Sequence, residues 1–351
     1  MKIALLGLQG AGKKTLFRLM TGADVRQVPP KGVPGVFEVI DPRVDRLSAL
    51  YRPEKTTYAR LDVVLLPDVE ASKGRSPWLE DVRASDVICC VVRAFDDPSV
   101  PHPAGSVAPL RDLDAFFSEL LFADLLHIDR RKERLSDELR RSRAPEKERE
   151  LRLVERLDAE LGAGRPFSSV ALSDAERGLL SGSQFLTGLP VAGVVNLTQG
   201  ADAEGLRREI GTKFESRMRL AFFDAKLEGE IAAIESPAER QEFLSGLGID
   251  ESGLAKLTRT LYDAAGLMSF YTVGEDEVRA WTIRKGATAL QAARAIHTDL
   301  AKGFIRAELM RCDDLLELGS EARVQEAGRV SLKGKDYVVE DGDVLSIRSS
   351  G

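Results

Sequence analysis

Short, nearly continuous apolar runs bounded by turn residues dominate the first part of the chain. That is the pattern of strands buried on both faces. Lys2 to Leu6 is one such run, and it leads into Gly7 to Gly12, a glycine-rich turn. Leu16, Phe17, Leu19 and Met20 then fall at the spacing of a helix that begins near Thr15. Leu61 to Leu66, Asp86 to Phe95, Pro190 to Val195 and Arg219 to Phe223 read as further strands. Val25 to Val36, rich in proline and glycine, reads as loop. Strands alternating with helical segments predict an α/β domain with a mostly parallel sheet.

The period changes between about Leu110 and Leu161. Leu113, Phe116, Leu120, Ile128, Leu135 and Leu139 lie at helical spacing; Pro145 interrupts, and Leu151, Val154, Leu157 and Leu161 resume it. Dense Arg, Glu, Lys and Asp fill the intervening positions. Two long amphipathic helices packed as a hairpin are expected. Their charged faces suit either a solvated coiled coil or a docking surface for a large partner. From about Leu267 the pattern changes again. Met268 to Thr272 and Arg279 to Ile283 read as strands, and Ala287 to Leu300 as a helix. Asp336 to Ile347 reads as two strands around an Asp-Gly turn. A small C-terminal α+β domain of β-grasp type follows.

Composition narrows the class. A chain of 351 residues fits two or three domains. With 43% apolar and 30% charged residues it has the means to build cores, and wholesale disorder is excluded. A formal net charge of −6 excludes a globally basic nucleic-acid binder, so any RNA contact is a local patch. Cys89, Cys90 and Cys312 show neither disulfide nor zinc spacing, which points to a reducing, cytoplasmic setting. No apolar run approaches the ~20 residues of a membrane span. The N-terminal run reads as a buried strand and not as a signal peptide.

Gly7-Leu8-Gln9-Gly10-Ala11-Gly12-Lys13 fits the first seven positions of a P-loop, between a strand and a helix. Glycines let backbone N–H groups turn inward around phosphate oxygens, and the helix start adds partial positive charge. Lys13 would reach the β- and γ-phosphates. The eighth position should carry the hydroxyl that binds Mg²⁺. Here it is Lys14, a donor without a lone pair. Thr15 is one residue late, about 100° around the helix. Two readings stand: Lys14 substitutes its own charge for magnesium, or it points outward while water and phosphate alone hold the ion.

Further blocks of sequence resemble the YchF/Obg-like ATPase family over nearly the whole length. Glu277 to Thr282, Ala295 to Asp299, Lys302 to Glu308 and Gly334 to Asp343 resemble that family's C-terminal TGS domain. Asp41-Pro42-Arg43, Arg52-Pro53, Ala71-Ser72-Lys73-Gly74 and Val92-Arg93-Ala94-Phe95 agree more loosely. The resemblance implies a Ras-like nucleotide domain (1–110 and 175–265), an inserted helical hairpin (111–174) and a TGS-type β-grasp domain (266–351). It also implies ATP or GTP binding and hydrolysis, with ribosome or RNA as partner through the hairpin and TGS domain. No membrane contact is expected, and a monomer is. By position, Gly7, Gly10, Ala11, Gly12, Lys13, Lys14 and Thr15 would surround the phosphates. Asn196 and Gln199 would read the base, backed by Asp224, Ala225 and Lys226. Asp68 is the remnant of the switch aspartate that reads magnesium, in Asp68-Val69-Glu70-Ala71, which lacks the family's glycine. His102 takes the place of a catalytic histidine. Lys14, the missing glycine and a shortened first switch point to weak hydrolysis, or to a catalytically inactive nucleotide-dependent adaptor.

Overall fold

The computed structural model describes residues 1–68, 78–142, 144–198, 200, 202–234, 236–249 and 251–350. Its strands, in chain order, are β1 (Lys2–Gly7), β2 (Val33–Glu38), β3 (Lys55–Thr57), β4 (Arg60–Leu65), β5 (Val87–Arg93) and β6 (Val191–Asn196). They continue as β7 (Arg219–Phe223), β8 (Leu267–Thr272), β9 (Glu277–Arg284), β10 (Phe304–Arg311), β11 (Ser331–Lys333) and β12 (Asp343–Ser349). Two compact units form, 1–35 with 63–237 and 36–62 with 238–351. Residues 36–62 and 238–265, which the sequence partition places with the nucleotide domain, pack into the second unit.

The first unit is α/β. Its sheet has the order β2-β4-β1-β5-β6-β7. β1, β5, β6 and β7 are parallel, with Leu5 opposite Cys89, Cys89 opposite Ala192 and Ala192 opposite Arg219. Every residue of β5 and β6 is buried, as expected of strands covered by helices on both faces. The chain fills one side of β1 with β2 and β4 and then crosses to the other side for β5, β6 and β7, so the end of β1 is a topological switch point. β2 lies where the sequence reads as loop. Pro34 and Gly35 weaken its signal, and an edge position tolerates a proline that a central strand would not.

Helix α1 (Lys13–Thr21) follows the glycine turn, α2 (Pro42–Tyr51) opens the 36–62 segment, and α3 (Trp78–Arg83) precedes β5. The expected hairpin is α4 (Pro109–Arg141) and α5 (Pro145–Gly162). Ile128 and Leu135 of α4 meet Leu153, Val154, Leu157 and Leu161 of α5 in a core of their own. Cross-hairpin pairs join Arg131 to Glu150 at 2.6 Å, Lys132 to Asp158 at 2.5 Å and Lys147 to Glu138 at 2.9 Å. Part of the charge run is therefore spent inside the hairpin. At its base, Asp124 is fully buried and accepts from Leu186 N, Thr187 N and Thr187 Oγ1, each at 2.8 Å.

The second unit has the sheet β11-β10-β12-β8-β9-β3. Its central pairs β8/β9 and β10/β12 are antiparallel, and β12 runs parallel to β8. Ala289 and Ala292 of helix Ala289–Ile296 pack on Phe270, Ala307 and Leu345, which is the helix-on-sheet layering of a β-grasp. The expected helix over 287–300 divides at His297, whose extended backbone starts a second helix, Thr298–Lys302. β10 was not visible in the sequence pattern. Before the turn at Gly342, only Val338 makes a β-bridge, to Thr288, so one of the two strands expected there is absent. Asp41 ties this unit together. It caps α2, pairs with Arg43 at 3.0 Å and accepts from Tyr271 Oη at 2.5 Å, while Arg43 reaches Asp341 at 2.6 Å.

Asp124→Ala strands the buried Leu186 N–H and the part-buried Thr187 N–H and should cost about 2–4 kcal/mol, read as a lowered urea midpoint. Burial pushes the Asp41 carboxyl up, but bonds from Arg43 and Tyr271 outweigh it and hold the group below its ordinary range. Its contribution is therefore present above an unfolded carboxyl's pKa of about 4 and lost as pH falls through the lower folded value. Asp41→Asn should flatten that acid-limb loss in urea titrations at successive pH values; an unchanged slope would contradict it.

Candidate functional site

The site is built at the end of β1. Gly10 and Gly12 have φ of 75° and 99°, a region in which side chains are strained. Space is as restrictive as conformation. A Cβ on Gly7 would lie 2.4 Å from Val91 O, and one on Gly12 would lie 2.3 Å from Asn196 Nδ2. Gly12 is the N-cap of α1 and brings no capping side chain, and the first turn has no acidic residue. The helix therefore offers its first N–H groups to an anion from outside. Buried Ala11 completes the turn.

Lys13 is only 4% exposed. Its Nζ donates to Gly7 O and to Asp68 Oδ1, both at 2.5 Å. Burial pulls its pKa below the ordinary lysine value, against the opposing pull of Asp68. Asp68, the expected magnesium ligand, is thus the counter-ion of Lys13. Lys14 is exposed and donates from Nζ to Arg26 O at 2.6 Å. Thr15 is half-buried. The remainder of the switch remnant, Val69, Glu70 and Ala71, lies outside the described residues.

Asn196 ends β6 and is buried. Its Nδ2 donates to Ala11 O at 3.0 Å, and its Oδ1 accepts from Ala225 N at 3.1 Å. One side chain thereby ties the phosphate turn to the start of helix Ala225–Ala233. Asp224 caps that helix, accepting from Lys226 N and Leu227 N at 3.0 Å. Lys226 is exposed, and Gln199 lies outside the described residues. Asn196, Ala11 and Ala225 are therefore together, with Asp224 beside them.

His102 is tucked in, its side chain 3% exposed. Nδ1 accepts from Ala104 N at 3.1 Å, which leaves Nε2 to carry the proton and donate to Asp112 Oδ2 at 3.0 Å. Asp112 stands in the first turn of α4 and also takes Arg111 on its other oxygen at 2.8 Å. Both ring nitrogens are engaged in this arrangement. A small cavity beside the phosphate turn is lined by Leu8, Cys90, Val92, His102, Asp112 and Phe116. Burial pushes the Cys90 thiol up to about 12, so no thiolate nucleophile is supplied there.

Sequence reading gave no role to Arg93 or Asp112. Arg93 is 2% exposed and spends its guanidinium on three carbonyls, Val100 O at 2.7 Å, Phe95 O at 3.0 Å and Asp97 O at 3.2 Å. It also lies over the Phe95 ring at 4.5 Å. It thus shapes the loop that carries His102. A Cβ on Gly10 would meet Val100 Cγ1 at 2.9 Å, so the same loop packs on the phosphate turn. An arginine ending an otherwise apolar run, Val87 to Val92, was the available signal.

Comparison with known proteins gives a consistent result. Residues 267–350 match the family model YchF-GTPase_C, described as a protein of unknown function (DUF933). The chain is 35% identical to the "Ribosome-binding ATPase YchF" of Bacillus subtilis, over 98% of each chain. It is 33% identical to "Obg-like ATPase 1" of Caenorhabditis elegans, over 98% of this chain and 91% of that one. The solved structure of the Schizosaccharomyces pombe YchF GTPase superposes with a TM-score of 0.83 at 30% identity, covering 99% of this chain and 97% of that one.

Arg93→Ala removes three charge-assisted bonds from the 95–105 loop. Amide exchange there should accelerate by about tenfold or more while β5 and β6 stay protected. Unchanged exchange in the loop would contradict the clamp.

Proposed function

Because the chain belongs to the YchF/Obg-like ATPase family, we propose that it binds ATP or GTP at Gly7–Thr15, hydrolyses it weakly and acts at the ribosome. The carrying observation is the phosphate turn at the switch point of the sheet, with a buried Lys13 ammonium at its centre. Asn196, with Asp224, Ala225 and Lys226, forms the wall that would face the base; Gln199 joins them by position in the sequence. His102 is the catalytic candidate, and Asp112 holds it in place.

Three features favour weak turnover. Asp68 is paired to Lys13, Lys14 replaces a hydroxyl, and both His102 nitrogens are occupied. Hydrolysis needs charge stabilisation at the γ-phosphate that binding alone does not. The engaged His102 also favours a second reading, a catalytically inactive, nucleotide-dependent ribosome or RNA adaptor.

The ribosome enters through the relatives' names. The functional division proposed is the nucleotide domain (1–110 and 175–265), the hairpin (111–174) and the TGS-type domain (266–351), the last two being the docking parts. A monomer in the cytoplasm suits this role. Among the described residues no helix is long and apolar enough to cross a membrane.

Calorimetry should show ATP or GTP binding by the wild-type chain and at least about tenfold weaker binding by Lys13→Ala, which loses charge-assisted phosphate contacts. Turnover should be on the order of 10⁻³ s⁻¹ or slower, as for unassisted P-loop GTPases. Wild-type protein that binds no nucleotide would refute the reading. Turnover near 1 s⁻¹ that Lys13→Ala abolishes would refute its weak-hydrolysis part. Pelleting with ribosomes no better than a control protein would remove the partner.

A further inference from the structure

A divalent ion at a nucleotide's phosphates is held by hard oxygen ligands, usually with several waters. Among the described residues that donor set is not assembled. Position 14 carries an ammonium, which has three N–H donors and no lone pair. Asp68 is already paired with Lys13 at 2.5 Å. Among the described residues, no group of three or more His, Cys, Asp or Glu side chains could hold a metal ion. The described residues do not fit magnesium.

Lys14 is more than a missing ligand. It leaves the first turn of α1 and donates to Arg26 O at 2.6 Å, within the stretch between α1 and β2. In a P-loop site the divalent ion joins the phosphate helix to the loop that follows it and neutralises the β/γ oxygens. The Lys14 ammonium already makes the first of these connections. One N–H is spent on Arg26, and two remain.

Resting on the nucleotide-binding reading above, we infer that Lys14 is a built-in counter-cation. Its two remaining N–H groups take phosphate oxygens, its third holds the Arg26 segment over them, and nucleotide binds without magnesium. A single positive charge replaces two, so the ground-state phosphates are held while less charge is available to the transition state. Tight binding with slow turnover follows from the same substitution.

The test is calorimetric titration of the full chain with ADP and with ATP, in EDTA and in Mg²⁺. Wild-type affinity should agree in the two buffers within about threefold. Lys14→Met keeps the length and removes the charge; binding in EDTA should weaken by about tenfold, one charge-assisted bond or more. Lys14→Ser restores an oxygen ligand and should make binding about tenfold or more tighter in Mg²⁺ than in EDTA. Lys14 is exposed, and thermal scans should show both variants folded as the wild type. Wild-type affinity that falls by about tenfold on magnesium removal overturns the inference and leaves nucleotide binding standing. So does Lys14→Met binding as tightly as the wild type in EDTA. Absence of nucleotide binding in both buffers overturns the nucleotide reading, and this inference with it.

Discussion

An unpaired buried ammonium is costly, and Lys13 is almost wholly buried. Its position dictates much of the first unit. The carbonyl of Gly7 must turn toward the amine, which requires the end of β1. Asp68 must arrive from just beyond β4. The helix must begin at Lys13 itself, which requires glycines in left-handed conformation before it. Asn196 then locks the turn from the β6 side, so close that Gly12 has no room for a Cβ. The ends of β1, β4 and β6 bring these pieces together, with Gly7 O and Asp68 on the Lys13 amine and Asn196 on the turn beside it. The same geometry explains why a ligand is needed to change it. On the proposed reading, a phosphate arriving at Lys13 would compete with Asp68 for the ammonium.

A second constraint runs along α4. Asp112 in its first turn holds His102, and Arg131 and Lys132 near its other end hold α5. One continuous helix of 33 residues carries both contacts. At about 1.5 Å per residue it is on the order of 50 Å long. The hairpin is thus not an appendage joined by a flexible linker. The carboxylate that positions His102 belongs to the same rigid rod as the hairpin, while Arg93 anchors the other side of the His102 loop to β5.

What the sequence revealed followed the strength of its local signals. β1, β5 and β6 were legible because central parallel strands are nearly continuous apolar runs, and β4 and β7 because Val63 to Leu65 and Leu220 to Phe223 keep a short apolar run. The hairpin was legible because its apolar stripe is long and Pro145 marks the turn. β2 was not, since Pro34 and Gly35 are permitted only by its place at the sheet edge. β10 was hidden because charged and apolar residues share its faces, and its partners β11 and β12 are distant in sequence. In the site, the glycine turn and Lys13 were plain from spacing alone. That Asp68 serves Lys13, and that Arg93 and Asp112 frame His102, depend on pairs brought together only by folding. The direction of Lys14 was left between two readings by the sequence. Its outward bond to Arg26 belongs to neither in full, because it both leaves the turn and secures the neighbouring segment.

Lys13 and Lys14 are adjacent like charges at a helix start, where the helix's own partial charge is also positive. About 100° of rotation separates them: one turns into the fold and the other out of it. Their repulsion persists, since Lys14 adds to the downward pull on the Lys13 pKa. A site arranged this way is destabilised by its own charge until an anion arrives. The free chain limits the cost with a carboxylate and the Gly7 carbonyl on Lys13 and with one carbonyl on Lys14. A polyphosphate offers both amines more negative charge than Asp68 and Arg26 O supply together. In a chain of net charge −6, the proposed preference for a multiply charged anion rests on the concentration of positive charge at this turn.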